Sequence, residues 1–206
     1  ITTRLVGSEM CIRDRDNPEI ASACYEGENQ LDYELISRLE GKNEMPLDFK
    51  LRRIKEGKDG LTIDDNTLIV KDVWLDYQPN SLVWPIMSEK FKSIIEASLK
   101  GNEQIDWITC NLRNLGETRE YYILRFNKQM DVLDKKKTLF MDERKESVIK
   151  PAFSFSKIKN YSVFVCPSSY NFWKIPSSFY VNEEIKKKIQ KEKLTGIEFE
   201  KAIITE

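Results

Sequence analysis

Two runs rich in β-branched and aromatic residues, IDWITCNL (105–112) and REYYILRF (119–126), are separated only by RNLGET, a short segment containing Gly116. So brief a link between two strand-forming runs leaves one simple solution, an antiparallel hairpin. Alternation along the strands places Ile108, Cys110 and Leu112 toward a core together with Tyr122, Leu124 and Phe126.

Two amphipathic helices flank this strand material. SEKFKSIIEASLKG (88–101) opens with Ser88 as N-cap, sets Phe91, Ile94, Ile95 and Leu99 on one stripe, and closes at Gly101 in the C′ position. NEEIKKKIQKEKLTG (182–196) repeats the plan. Asn182 caps it, Glu183 and Glu184 sit at the positive end of the dipole, lysines crowd the negative end, and Gly196 stops it. Further short strands are expected in PAFSF (151–155), YSVFV (161–165), SSFYV (177–181) and IEFEKAI (197–203). From Asp16 to about Gly60, segments such as YELISRLEGKNEMPLDFKL are punctuated by Gly41 and Pro46 and read as loop and short strand. No internal repeat or low-complexity tract is visible. Strands clustered between helices, without regular alternation, predict an α+β fold: a mainly antiparallel sheet with two principal helices in a single domain.

The first 15 residues stand apart. LVGSEMCIRDR (5–15) has no hydrophobic period and no turn chemistry, and it reverse-translates into a transposase-based sequencing adapter read through in one frame. Residues 1–15 are therefore expected to be a non-native leader, and residues 16–206 a domain that has lost its native start. Without Arg4, Arg13 and Arg15 against Glu9 and Asp14, the net charge of −1 becomes −2. Of four cysteines, Cys11 falls in the leader; Cys24, Cys110 and Cys166 are too widely spaced for a disulfide framework or a metal site. They read as reduced thiols of a cytoplasmic protein. No apolar run approaches the length of about 20 residues that spans a membrane.

Histidine is absent from the chain, which removes the usual general base and the commonest metal ligand. No nucleophile elbow, phosphate-cradling glycine loop or paired C-x-x-C occurs, so neither a cofactor nor a metal is expected. Carboxylates such as Asp72, Asp76, Asp106, Asp131 and Asp134 remain as acid/base candidates. A glycoside hydrolase fragment would need two of them converging at roughly 5–10 Å. The lysine runs Lys135–Lys137 and Lys186–Lys188 invite a nucleic-acid reading, but a net acidic chain lacks the broad field that phosphates require.

The densest stretch is KDVWLDYQPNSLVWPIMSEKF (71–91), with two Trp, one Tyr, two Pro and two Asp ahead of the first clear helix. Trp74 and Trp84 are suited to plug the core where this segment crosses the sheet. The same aromatics ringed by acids would also suit docking onto a basic protein surface.

Taken in order, LVWPIMSEKFKSIIE, IDWITC, EYYILRF, DVLD and NEEIKKKIQKEKLTGI resemble immunity protein 11 of bacterial polymorphic toxin systems, with immunity protein 43 as the second resemblance. The likeness runs from about residue 70 to 200. The family pattern begins with a strand that this chain lacks, in keeping with a lost N-terminus. The resemblance implies a non-enzymatic cytoplasmic antidote that binds a cognate toxin domain, with no nucleic-acid or membrane partner. On that reading the contact surface is expected at Asp72, Asp76 and Tyr77, with Asp106 beside them, and the acidic balance would speed association with a basic toxin.

Overall fold

The computed structural model describes residues 6–9, 21–27, 32–39, 47–57, 60–64, 74–144, 147–168 and 170–206. In chain order these form β1 (Val6–Glu9), β2 (Ala21–Tyr25), α1 (Asp32–Arg38), β3 (Leu47–Gly57), β4 (Gly60–Asp64), β5 (Tyr77–Gln78), β6 (Ile86–Met87) and α2 (Glu89–Glu96). There follow β7 (Ile105–Asn114), β8 (Glu117–Phe126), β9 (Leu139–Phe140), β10 (Val148–Lys150), β11 (Ala152–Ser154) and α3 (Phe155–Ile158). Last come β12 (Val163–Phe164), a 3-10 turn at Asn171–Trp173, β13 (Ser178–Val181), α4 (Glu183–Lys191) and β14 (Ile203–Thr205).

The expected hairpin forms the spine. β7 and β8 pair antiparallel from Ile105↔Phe126 to Asn114↔Glu117. Leu115 (φ 50°) and Gly116 (φ 85°) make the two-residue connection. Positive φ at both central positions is the type I′ geometry, whose twist matches that of paired strands. This tight turn sets the register, and the register corrects one expectation. Ile108 faces Ile123 and Cys110 faces Tyr121, so these four share one side of the sheet with Leu112. Leu124 and Phe126 lie on the other side, opposite Trp107 and Ile105, and Tyr122 is opposite Thr109. The run YYILRF is apolar in both phases, so alternation alone could not choose between them.

The main sheet runs β2-β3-β7-β8-β6-β5, with β4 paired to β3; only β3–β7 is parallel within it. Each face carries its own core. One joins Leu35, Ile36 and Leu39 from α1 and its end to Phe49, Leu51, Trp84, Ile108 and Ile123. The other joins Phe91 and Ile95 of α2, Ile185 and Ile189 of α4, and Phe153, Phe164 and Phe179 to Leu124 and Phe126. The α+β expectation with a mainly antiparallel sheet holds, α1 and α3 being short additions to the two principal helices. Where loop and short strand were expected before Gly60, the chain forms α1 and the long strand β3. Leu35, Ile36 and Leu39 give α1 just enough apolar spacing to dock.

Both N-caps are as expected: Ser88 Oγ accepts from Phe91 N–H at 3.3 Å, and Asn182 Oδ1 accepts from Ile185 N–H at 3.0 Å. The C-termini differ. α2 ends at Glu96, well before Gly101, and its chain unwinds through bonds from Ser98 N–H to Ile95 O and Leu99 N–H to Glu96 O. α4 ends at Lys191, and Lys193 (φ 53°) takes the left-handed C′ position. Leu194 N–H then bonds Ile189 O and Lys193 N–H bonds Gln190 O, a Schellman motif. Gly196 serves the next contact instead: a Cβ there would lie 2.2 Å from Tyr77 O. IEFEKAI is not a strand along its length: Glu200 makes an isolated bridge, and β14, parallel to β11, begins only at Ile203.

Val6–Glu9 lies antiparallel to Ser178–Val181 as the edge of a small sheet with β12. We propose that this ladder is adventitious, since any extended segment can supply backbone groups to an open edge. Deleting residues 1–15 should then leave the melting temperature within about 4 °C, the shift of about 1 kcal/mol in a domain near this size. At the hairpin, Leu115→Asn should raise stability by about 0.5–1 kcal/mol in denaturant titration, because Asn tolerates the left-handed conformation that strains Leu.

Candidate partner-binding surface

The segment singled out from sequence is a structural tie. Asp76 Oδ1 accepts from Ser88 Oγ at 2.7 Å, and its Oδ2 accepts from Thr195 N–H at 2.9 Å and Thr195 Oγ1 at 3.1 Å. One carboxylate thus links the N-cap of α2 to the chain leaving α4. Tyr77 is only 3% exposed, its ring packed among Phe91 and Phe179. Burial drives its hydroxyl pKa upward, and the hydroxyl has no hydrogen-bond partner among the described residues. Trp84 is buried beneath the sheet. Trp74 is half-buried, with the Arg119 guanidinium 4.4 Å above its ring. Asn80 folds the intervening loop, its Oδ1 accepting from Leu82 and Trp84 N–H while its Nδ2 donates to Gln78 O and Trp84 O. Asp72 lies outside the described residues.

Asp106 is also committed. It holds Arg125 through Nε–Oδ1 at 2.7 Å and Nη2–Oδ2 at 2.5 Å, while Arg125 Nη1 donates to Leu39 O at 2.7 Å, just beyond the end of α1. The pair therefore fastens a helix C-terminus, where a cation is favourable. Through the pairing of β5, β6, β8 and β7, Asp76 and Asp106 stand roughly 20 Å apart by standard strand dimensions. They cannot act as the converging pair of a glycosidase. Asp131 pairs with Lys157 at 2.8 Å, and Asp134 accepts from Thr205 Oγ1 and Lys136 N–H, which lower its pKa. Burial raises the Cys110 thiol and pushes Cys166 up to about 11, so neither is a thiolate near neutrality. Among the described residues no group of His, Cys, Asp or Glu could hold a metal, and no helix is long and apolar enough to cross a membrane.

What the sequence reading missed is a concave, aromatic surface around residues 167–176. Gln129 Nε2 holds Ser168 O at 2.9 Å, and Phe126 N–H bonds Lys174 O at 2.7 Å, so the loop is pinned to the end of β8 and the chain leaving it. Ile175 is buried in the core below. Between these anchors Tyr170 and Phe172 project outward, 80% and 44% exposed, with their rings 6.4 Å apart and nearly edge-on. Tyr170 has φ 70° and ψ 178°, a conformation all but restricted to glycine. Two adjoining cavities of about 560 and 770 Å³ flank the turn, sharing Val148, Pro167, Ser168, Tyr170 and Trp173 as walls. The larger also takes in Phe140, so the β9–β10 hairpin forms one bank; that hairpin carries exposed Leu139, Ile149 and, at its turn, Met141. Among the described residues the smaller has no charged side chain in its lining. A usable signal was present: YNFW (170–173) sets three aromatics in four residues within a segment bounded by Pro167 and Pro176.

A concavity lined by Tyr170, Phe172 and Trp173, with Asp131 and Lys135 only in its larger part, is suited to holding another molecule. Residues 53–203 match the immunity protein family (Imm11). The chain belongs to that family. The match falls on the first of the two families that the sequence resembles, and it takes in most of the main sheet, α2, α4 and the whole aromatic surface. No curated protein matches this immunity protein.

The tie made by Asp76 changes what its mutation will do. Asp76→Ala should cost about 2 kcal/mol through loss of charge-assisted hydrogen bonds, lowering the melting temperature of this immunity protein by about 4–8 °C in a thermal scan.

Proposed function

We propose that this immunity protein neutralises a toxin domain encoded beside it by forming a stoichiometric complex in the cytoplasm, without turnover. Family membership supports the antidote role, and the exposed Tyr170–Phe172 turn is the observation that carries binding as its means. Aromatic side chains supply large contact area at small entropic cost and dominate binding hot spots. In this reading Tyr170 and Phe172 are the anchors, and Met141 on the neighbouring hairpin extends the contact. Asp106, its carboxylate held by Arg125, contributes through the fold, and Asp72 supplies a charge that steers a basic toxin. Asp76 and Tyr77 contribute through the fold, by holding α2 and α4 in place.

Co-expression with the adjacent toxin should rescue growth, and the two proteins should co-elute as a one-to-one complex. Tyr170→Ala with Phe172→Ala should weaken that complex by about 2 kcal/mol or more, roughly 30-fold, with an unchanged melting temperature. Failure of the intact protein to rescue would overturn the antidote reading. Rescue and affinity untouched by the double variant would move the interface elsewhere.

A further inference from the structure

A second surface has the opposite character. Lys90 Nζ donates to Glu192 O at 2.9 Å, and Lys188 Nζ to Ser98 Oγ at 3.0 Å, so α2 and α4 run antiparallel side by side. Between them lies a groove of about 430 Å³. It is lined by Ile94 with the small residues Ser93 and Ala97, by Lys90, Lys188 and Lys191, and by one acid, Glu192. The acids nearby are already engaged: Glu192 with Lys90 at 3.3 Å, and Glu184 with Lys188 at 2.8 Å. Lys191 has no ion pair among the described residues. The dipole of α4 accounts for Lys188 and Lys191 in its last turn, but Lys90 sits in the first turn of α2, where the dipole disfavours a cation. Lys90 instead answers the C-terminus of α4, through Glu192 O and the Glu192 carboxylate, which leaves Lys191 as the lining cation with no ion pair among the described residues.

We propose that this groove docks an acidic amphipathic segment of a protein partner. A groove with Ile94 and Ala97 in its lining and three lysines against one acid is complementary to a helix carrying an apolar stripe flanked by carboxylates. Nucleic acid fits less well, since the groove lining has no aromatic ring to stack on and the chain as a whole is net acidic. The site is separate from the aromatic turn, and its test involves neither the toxin nor growth rescue.

The probe is a fluorescein-labelled peptide with leucines at i, i+3, i+4 and i+7 and glutamates between them, followed by anisotropy against the full chain. It should bind about tenfold tighter than a peptide of the same composition with scrambled leucine spacing. Lys191→Glu should weaken binding about tenfold, and Ala97→Trp should abolish it by filling the groove without changing charge. Both side chains are exposed, and circular dichroism melts would confirm that the variants fold. Equal binding of the scrambled peptide, no detectable binding, no loss in either variant, or tighter binding of a duplex oligonucleotide than of the peptide would each overturn the proposal.

Discussion

The β7–β8 ladder is apolar in both of its phases, and the rest of the fold answers that constraint. A sheet with one wet face needs a single layer of cover; here Ile108, Cys110, Tyr121 and Ile123 on one side and Leu124 and Phe126 on the other must all leave water. Helix α1, β2 and β3 supply residues that close the first side. Helices α2 and α4, with β11 to β13, close the second. The parallel pairing of β3 with β7 follows the same logic, because it brings Leu47 and Phe49 into register with Cys110 and Leu112. Burying both faces explains how so small a sheet supports two separate aromatic-rich cores.

Two acids then tie the covering layers to the spine. Asp106 orients Arg125 on the α1 side, so that the guanidinium reaches the carbonyl of Leu39. On the other side Asp76 joins Ser88 to Thr195, and the close passage of Gly196 beneath Tyr77 O leaves no room for a side chain. These carboxylates resemble surface bait in a one-dimensional reading, yet each is already engaged by donors within its own chain. A carboxylate so engaged offers a partner less than a free one, because a partner that competes for it must first break those bonds.

Local signals were legible and non-local ones were not. Ser88 and Asn182 announce their helices because capping depends on neighbours in sequence. Glycine marks the helix ends only loosely: α2 unwinds before Gly101, Lys193 accepts the left-handed conformation after α4, and Gly196 is required by a strand far away in sequence. The hairpin could be read, but its register could not, since YYILRF satisfies either phase and the two-residue turn decides. Helix α1 and strand β3 hide for a related reason: their apolar residues make sense only against β7 and the chain around Trp84. Of the expected contact residues, Tyr77 is buried by aromatic neighbours distant in the chain, which no spacing rule foretells.

The same contrast bears on recognition. Tyr170 is held at a strained φ by a loop anchored at both ends, through Ser168 and Lys174, over a buried Ile175. Strain of that kind persists only where the surroundings over-determine it, and here they present an aromatic pair to solvent with little freedom left to lose. A partner that buries those rings gains their apolar area without having to order them first. The lysine-lined groove works differently, drawing a charged segment from a distance and selecting it by the apolar residues of its lining. Neutral anchors that govern how long a complex lasts and cations that govern how fast a segment arrives can coexist on one small domain because they sit on different elements, the 167–176 loop and the α2–α4 pair.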